Sequence, residues 1–212
     1  MQPDLFEREG GDIPLGAGAV VLRGFATVRA AALLDGISAV AAASPFRHMV
    51  TRGGRAMSVA MTNSGAVGWI TDRTGYRYDT IDPETGNNWP DMPRVFRALA
   101  RDAAQAAGFV QFTPDACLVN RYAPGARLSL HQDMDERDFN APIVSVSLGL
   151  PATFLWGGQV RGDRLRRVSL VHGDVVVWGG PSRMTYHGVD ELKEGRHPST
   201  AFRYNLTFRK AL

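Results

Sequence analysis

The C-terminal half of the chain is divided into short apolar runs, separated by turn sequences that contain Gly and Pro. The runs have the length of strands, roughly four to eight residues, and several alternate between larger apolar and smaller or polar side chains. No helical pattern lies between the later runs, which argues against a parallel α/β fold. The predicted strands are Ala19–Leu22, Met57–Met61, Ala116–Tyr122, Leu128–Asp133, Ile143–Leu150, Thr153–Trp156, Arg167–Val171, Val175–Trp178 and Phe202–Phe208.

Two helices are predicted before most of these strands. Thr27–Ala43 is rich in Ala and Leu and ends before Ser44-Pro45. Pro93–Ala107 begins with a proline, and Gly108 follows it as a C-terminal cap. Helices followed by a longer series of strands indicate an α+β chain that is mainly β. The leading candidate is a double-stranded β-helix, or jelly roll.

The sequence predicts a cytoplasmic protein that does not cross a membrane. Ala141–Val160 carries no charge, but Pro142 and Pro151 interrupt it and its apolar residues alternate, so buried strands are expected there. The first dozen residues are acidic and contain no signal peptide pattern. Cys117 is the single cysteine, which excludes an intrachain disulfide and suits a reducing compartment. A net charge of +3 with a pI of about 9.3 permits a nucleic-acid partner without requiring one.

The segment LSLHQDMD carries a His-x-Asp motif. If it is a strand, His131 and Asp133 lie on one face, together with Ser129 and Asp135. A distant histidine would complete two His and one carboxylate, the set that leaves open positions on Fe(II). The motif is not specific, because His172-Gly173-Asp174 repeats it. A turn is the simpler interpretation of that second match, although a hairpin could still bring His187 near Asp174.

The C-terminal strand carries a polar face. Arg203, Asn205, Thr207 and Arg209 alternate with apolar residues, and paired arginines are good bidentate anchors for carboxylates. The strand CLVNRY offers a second polar pair, Asn120 and Tyr122. An ordinary solvated strand with basic residues is the alternative.

Five blocks of sequence resemble one known family. They are SPFRHMVTRGGRAMSVAMTNSGAVGW, PDACLVNRYAPGARLSLHQDMDE, APIVSVSLGLPATF, HGDVVVWGGPSRMTYHG and RYNLTFR. Together they resemble the bacterial AlkB family of Fe(II)- and 2-oxoglutarate-dependent dioxygenases, which repair alkylated DNA bases. The resemblance runs over roughly residues 13–210 and is far more specific than His-x-Asp alone.

The resemblance implies a metal site and a cosubstrate site. The Fe(II) ligands it implies are His131, Asp133 and His187. The residues it implies for 2-oxoglutarate are Asn120, Tyr122, Arg203, Asn205 and Arg209, with Arg203 on the distal carboxylate. A dianionic ligand at a buried site does need such cations and hydrogen-bond donors.

The resemblance also implies how a base is held. Trp69 would stack on a flipped-out base with His131 on its other side, and Asp135 would contact the exocyclic nitrogen. Further implied contacts are Tyr76, Arg161 and Met61. Met61 could equally be a core residue. Trp69 lies in the glycine-bracketed segment GAVGWITD, which suggests a loop or lid, although a buried tryptophan is also common.

The implied activity is direct reversal of DNA damage. Oxidative decarboxylation of 2-oxoglutarate by O2 would be coupled to hydroxylation of an N-methyl group on 1-methyladenine or 3-methylcytosine, preferably in single-stranded DNA, with release of formaldehyde. The same chemistry on methylated RNA is an alternative. A non-catalytic nucleic-acid binder, or an iron and 2-oxoglutarate sensor, is a third interpretation that the implied triad and arginines disfavour.

We expect a single domain over residues 1–212 and, by default, a monomer. About 13–90 would form an N-terminal extension with a nucleotide-recognition lid, and about 115–210 the catalytic jelly roll. The sequence departs from the family pattern in its opening dozen residues and lacks one residue between His197 and Arg203. Met134 stands where a basic residue that contacts a phosphate is expected.

Overall fold

The computed structural model describes residues 11–212. They form two helices, α1 (Ala30–Ala43) and α2 (Arg94–Ala106), and thirteen strands that pair only in antiparallel fashion. The strands are β1 (Ile13–Gly16), β2 (Ala19–Leu22), β3 (Ala60–Gly65), β4 (Gly68–Asp72), β5 (Gly75–Asp79), β6 (Ala116–Tyr122), β7 (Leu128–His131), β8 (Ile143–Gly149), β9 (Ala152–Trp156), β10 (Arg166–Leu170), β11 (Val175–Trp178), β12 (His187–Val189) and β13 (Arg203–Arg209).

The strands form two main sheets and one separate hairpin. A seven-stranded sheet has the order β1-β2-β11-β8-β13-β6-β3, and a four-stranded sheet has the order β10-β9-β12-β7. Strands β4 and β5 pair only with each other. The expected mainly β jelly roll is therefore confirmed.

The larger sheet is buried on both faces, as the run VVVW in β11 shows. Val175 and Val177 face α1 and α2, whereas Val176 and Trp178 face the smaller sheet. Side chains alternate along a strand, so a strand covered on both faces must be apolar throughout. The helices thus cover one face of the larger sheet and leave its other face to form the interior of the sandwich.

The predicted elements match the structure where the apolar signal is strong. Both helices and most strands lie where expected, and the uncharged stretch 141–160 forms β8 and β9. No helix among residues 11–212 is long and apolar enough to cross a membrane. The expectation about the first dozen residues lies almost entirely outside the described part of the chain.

Two predicted strands miss the observed boundaries by two residues or more, and four others miss them by a single residue. Strand β3 begins at Ala60 rather than Met57, because the Met57 amide donates to the Met49 carbonyl instead. Strand β7 ends at His131, so Asp133 and Asp135 lie in the following loop and not on a strand face. Four strands were not predicted, because they are short or rich in polar residues: β1, β4, β5 and β12.

The packing of α2 on the larger sheet generates a stability prediction. Phe96 is fully buried, packs edge-on against Phe208 and lies over Gly36, where a Cβ atom would meet its ring at 2.7 Å. Phe96→Ala should lower the free energy of unfolding by about 3–5 kcal/mol, because it leaves a cavity in the core. Urea denaturation measures this loss. Val28→Ala, at a residue 92% exposed, should stay within about 0.5 kcal/mol, and an equal effect of the two changes would contradict this packing.

Candidate active site

The pairing of β7 with β12 brings two histidines together. His131 ends β7 and His187 begins β12, and the two are direct partners in the register. Their ring centroids lie 4.4 Å apart. Asp133 follows β7 by two residues, with its oxygens 3.7 Å from His131 Nε2 and 3.8 Å from His187 Nε2. Potential ligand atoms of all three residues lie within 4.8 Å of one another, the one such His, Cys, Asp or Glu group in residues 11–212.

The protonation states of the triad suit a divalent metal. Nδ1 of His131 lies 2.8 Å from the Ser129 carbonyl, and Nδ1 of His187 lies 3.0 Å from the Thr185 carbonyl. Because a carbonyl only accepts, each Nδ1 carries the proton and each Nε2 lone pair is free for a metal. Burial and the neighbouring His131 lower the pKa of His187 to about 4, so this ring is neutral at pH 7.

Asp133 is held as a carboxylate. Burial alone would raise its pKa, but Arg209 and the two histidines outweigh burial and hold the pKa well below its usual range. Arg209 donates to Asp133 Oδ2 from Nη2 at 2.8 Å and from Nε at 3.1 Å. Two histidines that present Nε2, together with an ionised carboxylate, form the donor set of Fe(II) oxygenases, which leaves coordination positions open.

The triad lines a cavity of about 660 Å³ between the two sheets. Its larger-sheet wall carries Asn120 from β6, Ser145 from β8 and Asn205 from β13. Asn205 Nδ2 donates to Ser145 Oγ at 2.7 Å, and Asn120 Nδ2 donates to Asn205 Oδ1 at 3.3 Å. Thr207 Oγ1 also donates to Asn205 Oδ1, at 2.9 Å. Asn205 is thereby saturated by protein partners and orients Asn120.

Arg203 is a buried cation in the same cavity. Its side chain is 1% exposed, and its guanidinium lies 4.9 Å from the centre of the Tyr122 ring. Nη2 donates to Ser147 Oγ at 3.1 Å, but Nε and Nη1 have no hydrogen-bond partner within residues 11–212, nor has Asn120 Oδ1. Burying an unpaired charge is costly. The donors left over on Arg203 fit an anionic ligand such as the carboxylate of 2-oxoglutarate.

The β4–β5 hairpin contributes side chains to the cavity mouth. Trp69 stacks on Tyr76 with ring centroids 5.6 Å apart at an interplanar angle of 19°. The Trp69 indole Nε1 donates to Asp135 Oδ2 at 2.7 Å. Trp69 lies on strand β4 rather than in a loop, as one of the expectations had it, and Tyr76 is half exposed.

Two further predicted residues also line the cavity. Met61 is 1% exposed and belongs both to the core between the sheets and to the cavity wall. Arg161 lies with its guanidinium 5.8 Å from the centre of the Tyr186 ring. The structure thus brings every sequence-predicted site residue to one cavity.

The second His-x-Asp match has a different role. Gly173 has a φ of +91°, and the Asp174 carboxylate binds Arg23 and accepts from the amides of Gly24 and Val171, both at 2.9 Å. His172 Nδ1 accepts from the Gly149 amide at 2.9 Å. These contacts fix a turn, and the alternative grouping of His187 with Asp174 was wrong for the described residues.

Several residues that shape the site were not predicted from the sequence. Ser145 and Ser147 were detectable, since they alternate with apolar residues in the β8 segment VSVSLG. Glu136, Arg183 and Tyr78 had no such signal, because they meet only through the tertiary fold.

Comparisons with known proteins agree with this geometry. The sequence profile of the 2OG-Fe(II) oxygenase superfamily matches residues 18–209. The chain is 62% identical over 199 residues to the alpha-ketoglutarate-dependent dioxygenase AlkB of Salmonella typhimurium, covering 93% of this chain and 92% of the relative. It is 61% identical over 210 residues to the AlkB of Escherichia coli, covering 98% and 97%. The solved structure of OsALKBH1 is similar with a TM-score of 0.79 and 31% identity, over 93% of this chain and 100% of that one.

The geometry of the triad predicts which histidine a metal needs. His131→Ala should abolish tight binding of Mn²⁺, because it removes one of three convergent ligands. His172→Ala should bind Mn²⁺ as the unchanged protein does. Titration of free Mn²⁺ by electron paramagnetic resonance measures both. If only the His172 variant lost Mn²⁺ binding, the metal site would lie at the His172-Gly173-Asp174 motif instead.

Proposed function

Because the chain belongs to the 2OG-Fe(II) oxygenase superfamily, we propose that it oxidatively demethylates alkylated bases, 1-methyladenine and 3-methylcytosine, in DNA. The matches confirm the predicted resemblance to AlkB and the predicted dependence on Fe(II) and 2-oxoglutarate. The observation that best supports the substrate class is a metal-ligand triad and a buried unpaired arginine in one cavity whose mouth carries an aromatic hairpin.

We assign the metal to His131, Asp133 and His187. Three protein ligands leave room for a bidentate cosubstrate and for O2. When bound, Fe(II) and 2-oxoglutarate supply, with O2, the oxidation that hydroxylates the N-methyl group and yields succinate and CO2. The hydroxymethyl adduct of the base then releases formaldehyde. The residues of the chain hold the reactants in place and exclude water.

We assign the distal carboxylate of 2-oxoglutarate to Arg203. Its two free nitrogens can donate to the carboxylate oxygens, and this ion pair offsets the cost of burying the guanidinium. Asn120 and Tyr122 complete this end of the cavity from β6. Asn205 acts through Asn120, and Arg209 through Asp133, since both are already engaged with those partners.

We assign base binding to the hairpin and the loop after β7. A base atom inside a duplex is out of reach of a cavity, so the base must be flipped out or taken from a single strand. Trp69 offers a stacking surface, with His131 on the other side of the base, and Met61 forms a wall. Both lesions are cationic, so the Asp135 carboxylate beside the base is favourable.

We assign Tyr76 and Arg161 to the strand that carries the base. Tyr76 is half exposed on the hairpin and Arg161 is exposed at the same cavity, positions from which both can reach a phosphate. Met134 is 60% exposed and brings no charge, so it does not supply the ionic phosphate contact expected of a basic residue at that position.

We further propose that the chain, residues 1–212, acts as a single domain, as a cytoplasmic monomer, preferably on single-stranded DNA. Ile70 of the hairpin packs in the same core cluster as Phe154 of the smaller sheet, which supports one domain rather than two. The buried Cys117 suits a reducing compartment.

The proposed activity predicts formaldehyde release from a single-stranded oligonucleotide that contains 1-methyladenine, given Fe(II), 2-oxoglutarate and O2. The mass of the oligonucleotide should fall by one methylene group, and His187→Ala should give no product. An RNA oligonucleotide of the same sequence and methylation is assayed in parallel. Faster turnover of RNA would favour the alternative substrate, and no product from either would favour a non-catalytic binder or sensor.

The proposed role of Arg203 predicts a specific loss of cosubstrate binding. Arg203→Met keeps much of the side-chain volume but removes the charge, and should weaken 2-oxoglutarate binding to the Mn²⁺-loaded protein by about 10- to 100-fold. Calorimetry measures this. Arg167→Met, at an exposed residue paired with Asp190, is the matched control and should bind normally. Equal affinities of the two variants would refute the role.

A further inference from the structure

A cluster of buried charges lies behind the metal-ligand triad. Glu136, Arg183 and Arg209 are each less than a tenth exposed; Glu136 contacts both arginines, and both arginines contact Asp133. Two carboxylates and two guanidiniums make the cluster neutral as a whole. Such a set is stable in a buried place only while each charge keeps its partner.

Glu136 is the central member of the cluster. Its Oε2 accepts from Arg183 Nη2 at 2.9 Å, and its Oε1 lies 3.2 Å from Arg209 Nε. The same two arginines hold Asp133, since Arg183 Nη1 donates to the Asp133 carbonyl at 2.8 Å and Arg209 binds its carboxylate. Glu136 therefore fixes both arginines that fix the metal ligand.

The β4–β5 hairpin is attached to this cluster. The hydroxyl of Tyr78, on β5, donates to Glu136 Oε1 at 2.6 Å. Burial raises the pKa of Tyr78, so the hydroxyl keeps its proton and remains a donor. A continuous path of hydrogen bonds and ion pairs thus runs from the hairpin through Glu136 and Arg209 to Asp133.

We propose that Glu136 is a positioning residue that sets the charge around Asp133 and, through Tyr78, couples the β4–β5 hairpin to the metal centre. The inference rests on the proposed roles of Asp133 as a metal ligand and of the hairpin in base binding. As a consequence, metal binding favours the ordered hairpin, and the ordered hairpin raises the metal affinity by the same factor. The hairpin is then best ordered to receive a base when the metal is in place.

Two variants separate the charge of Glu136 from its link to the hairpin. Glu136→Gln leaves the cluster with one excess positive charge beside the site of a divalent cation, and Mn²⁺ affinity should fall by about 10- to 100-fold. Glu136→Asp keeps the charge and should recover part of this loss. Tyr78→Phe leaves the charges unchanged, so its Mn²⁺ affinity should fall far less than that of Glu136→Gln.

The link itself is measured by amide hydrogen exchange across residues 68–79. Saturating Mn²⁺ should slow this exchange by about 5-fold or more in the unchanged protein, the lower end of typical coupling between sites. In Tyr78→Phe this response should be lost. Tyr204→Phe is the matched control, because it also removes a tyrosine hydroxyl, but one that makes no hydrogen bond to another side chain within residues 11–212; its response should stay normal.

Either of two results overturns the inference: a folded Glu136→Gln protein with unchanged Mn²⁺ affinity, or a Tyr78→Phe protein with an unchanged response of the hairpin to Mn²⁺. Thermal unfolding checks that each variant is folded, and if Glu136→Gln does not fold, the Tyr78→Phe result decides. Both readouts use no nucleic acid. A wild-type protein that fails to demethylate DNA would therefore refute the proposed function without affecting this test.

Discussion

The pairing of β7 with β12 is the constraint on which the site depends, because it sets His131 opposite His187. The two strands approach so closely that a Cβ atom at Gly188 would lie 2.7 Å from the Leu128 carbonyl oxygen. Glycine next to the metal-binding histidine is thus required by the backbone. The loop that follows His131 then returns Asp133 to the same point, and Arg209 from the other sheet fixes its carboxylate.

The sandwich gives this site a rigid support. The larger sheet is packed by α1 and α2 on one face and by the smaller sheet on the other, so its strands have little freedom to shift. The polar cavity residues of the larger sheet, such as Asn120, Ser145 and Asn205, interrupt strands that are otherwise largely apolar. The hairpin belongs to neither sheet and meets the site through the side chains of Trp69 and Tyr78. The proposed cosubstrate residues therefore stand on the larger sheet, which is covered on both faces, whereas the metal-ligand triad stands on β7, on β12 and in the loop after β7. The proposed base contacts stand mainly on the separate hairpin.

Much of this architecture could be predicted from local patterns. Strands β2, β6 and β11 were predicted to the residue. In β2 and β11 the signal is a continuous apolar run bounded by turn residues, which specifies a buried strand. The arginine face of β13 was also visible in its alternation. Strand β12 was not, since three residues that include a glycine carry no periodic signal. The strands of the hairpin were missed for a related reason, because their exposed faces are polar and glycines bracket them.

The site was predictable in its ligands and not in their environment. His131 and Asp133 share a motif, but that Asp133 lies beyond the strand end follows from the loop conformation, which the motif does not encode. The contact of Tyr78 with Glu136 joins residues 58 positions apart and depends on how the hairpin folds back. Resemblance to a family supplied the role of Arg203, but its lack of a protein counter-ion is visible only in three dimensions.

The most direct test of the account is a crystal structure of the protein with Mn²⁺ and 2-oxoglutarate, in which anomalous scattering locates the metal. The account predicts the ion bound by His131, Asp133 and His187, and a carboxylate of 2-oxoglutarate bound to Arg203. A metal held by other residues, or a cosubstrate that leaves Arg203 without a carboxylate partner, would contradict it.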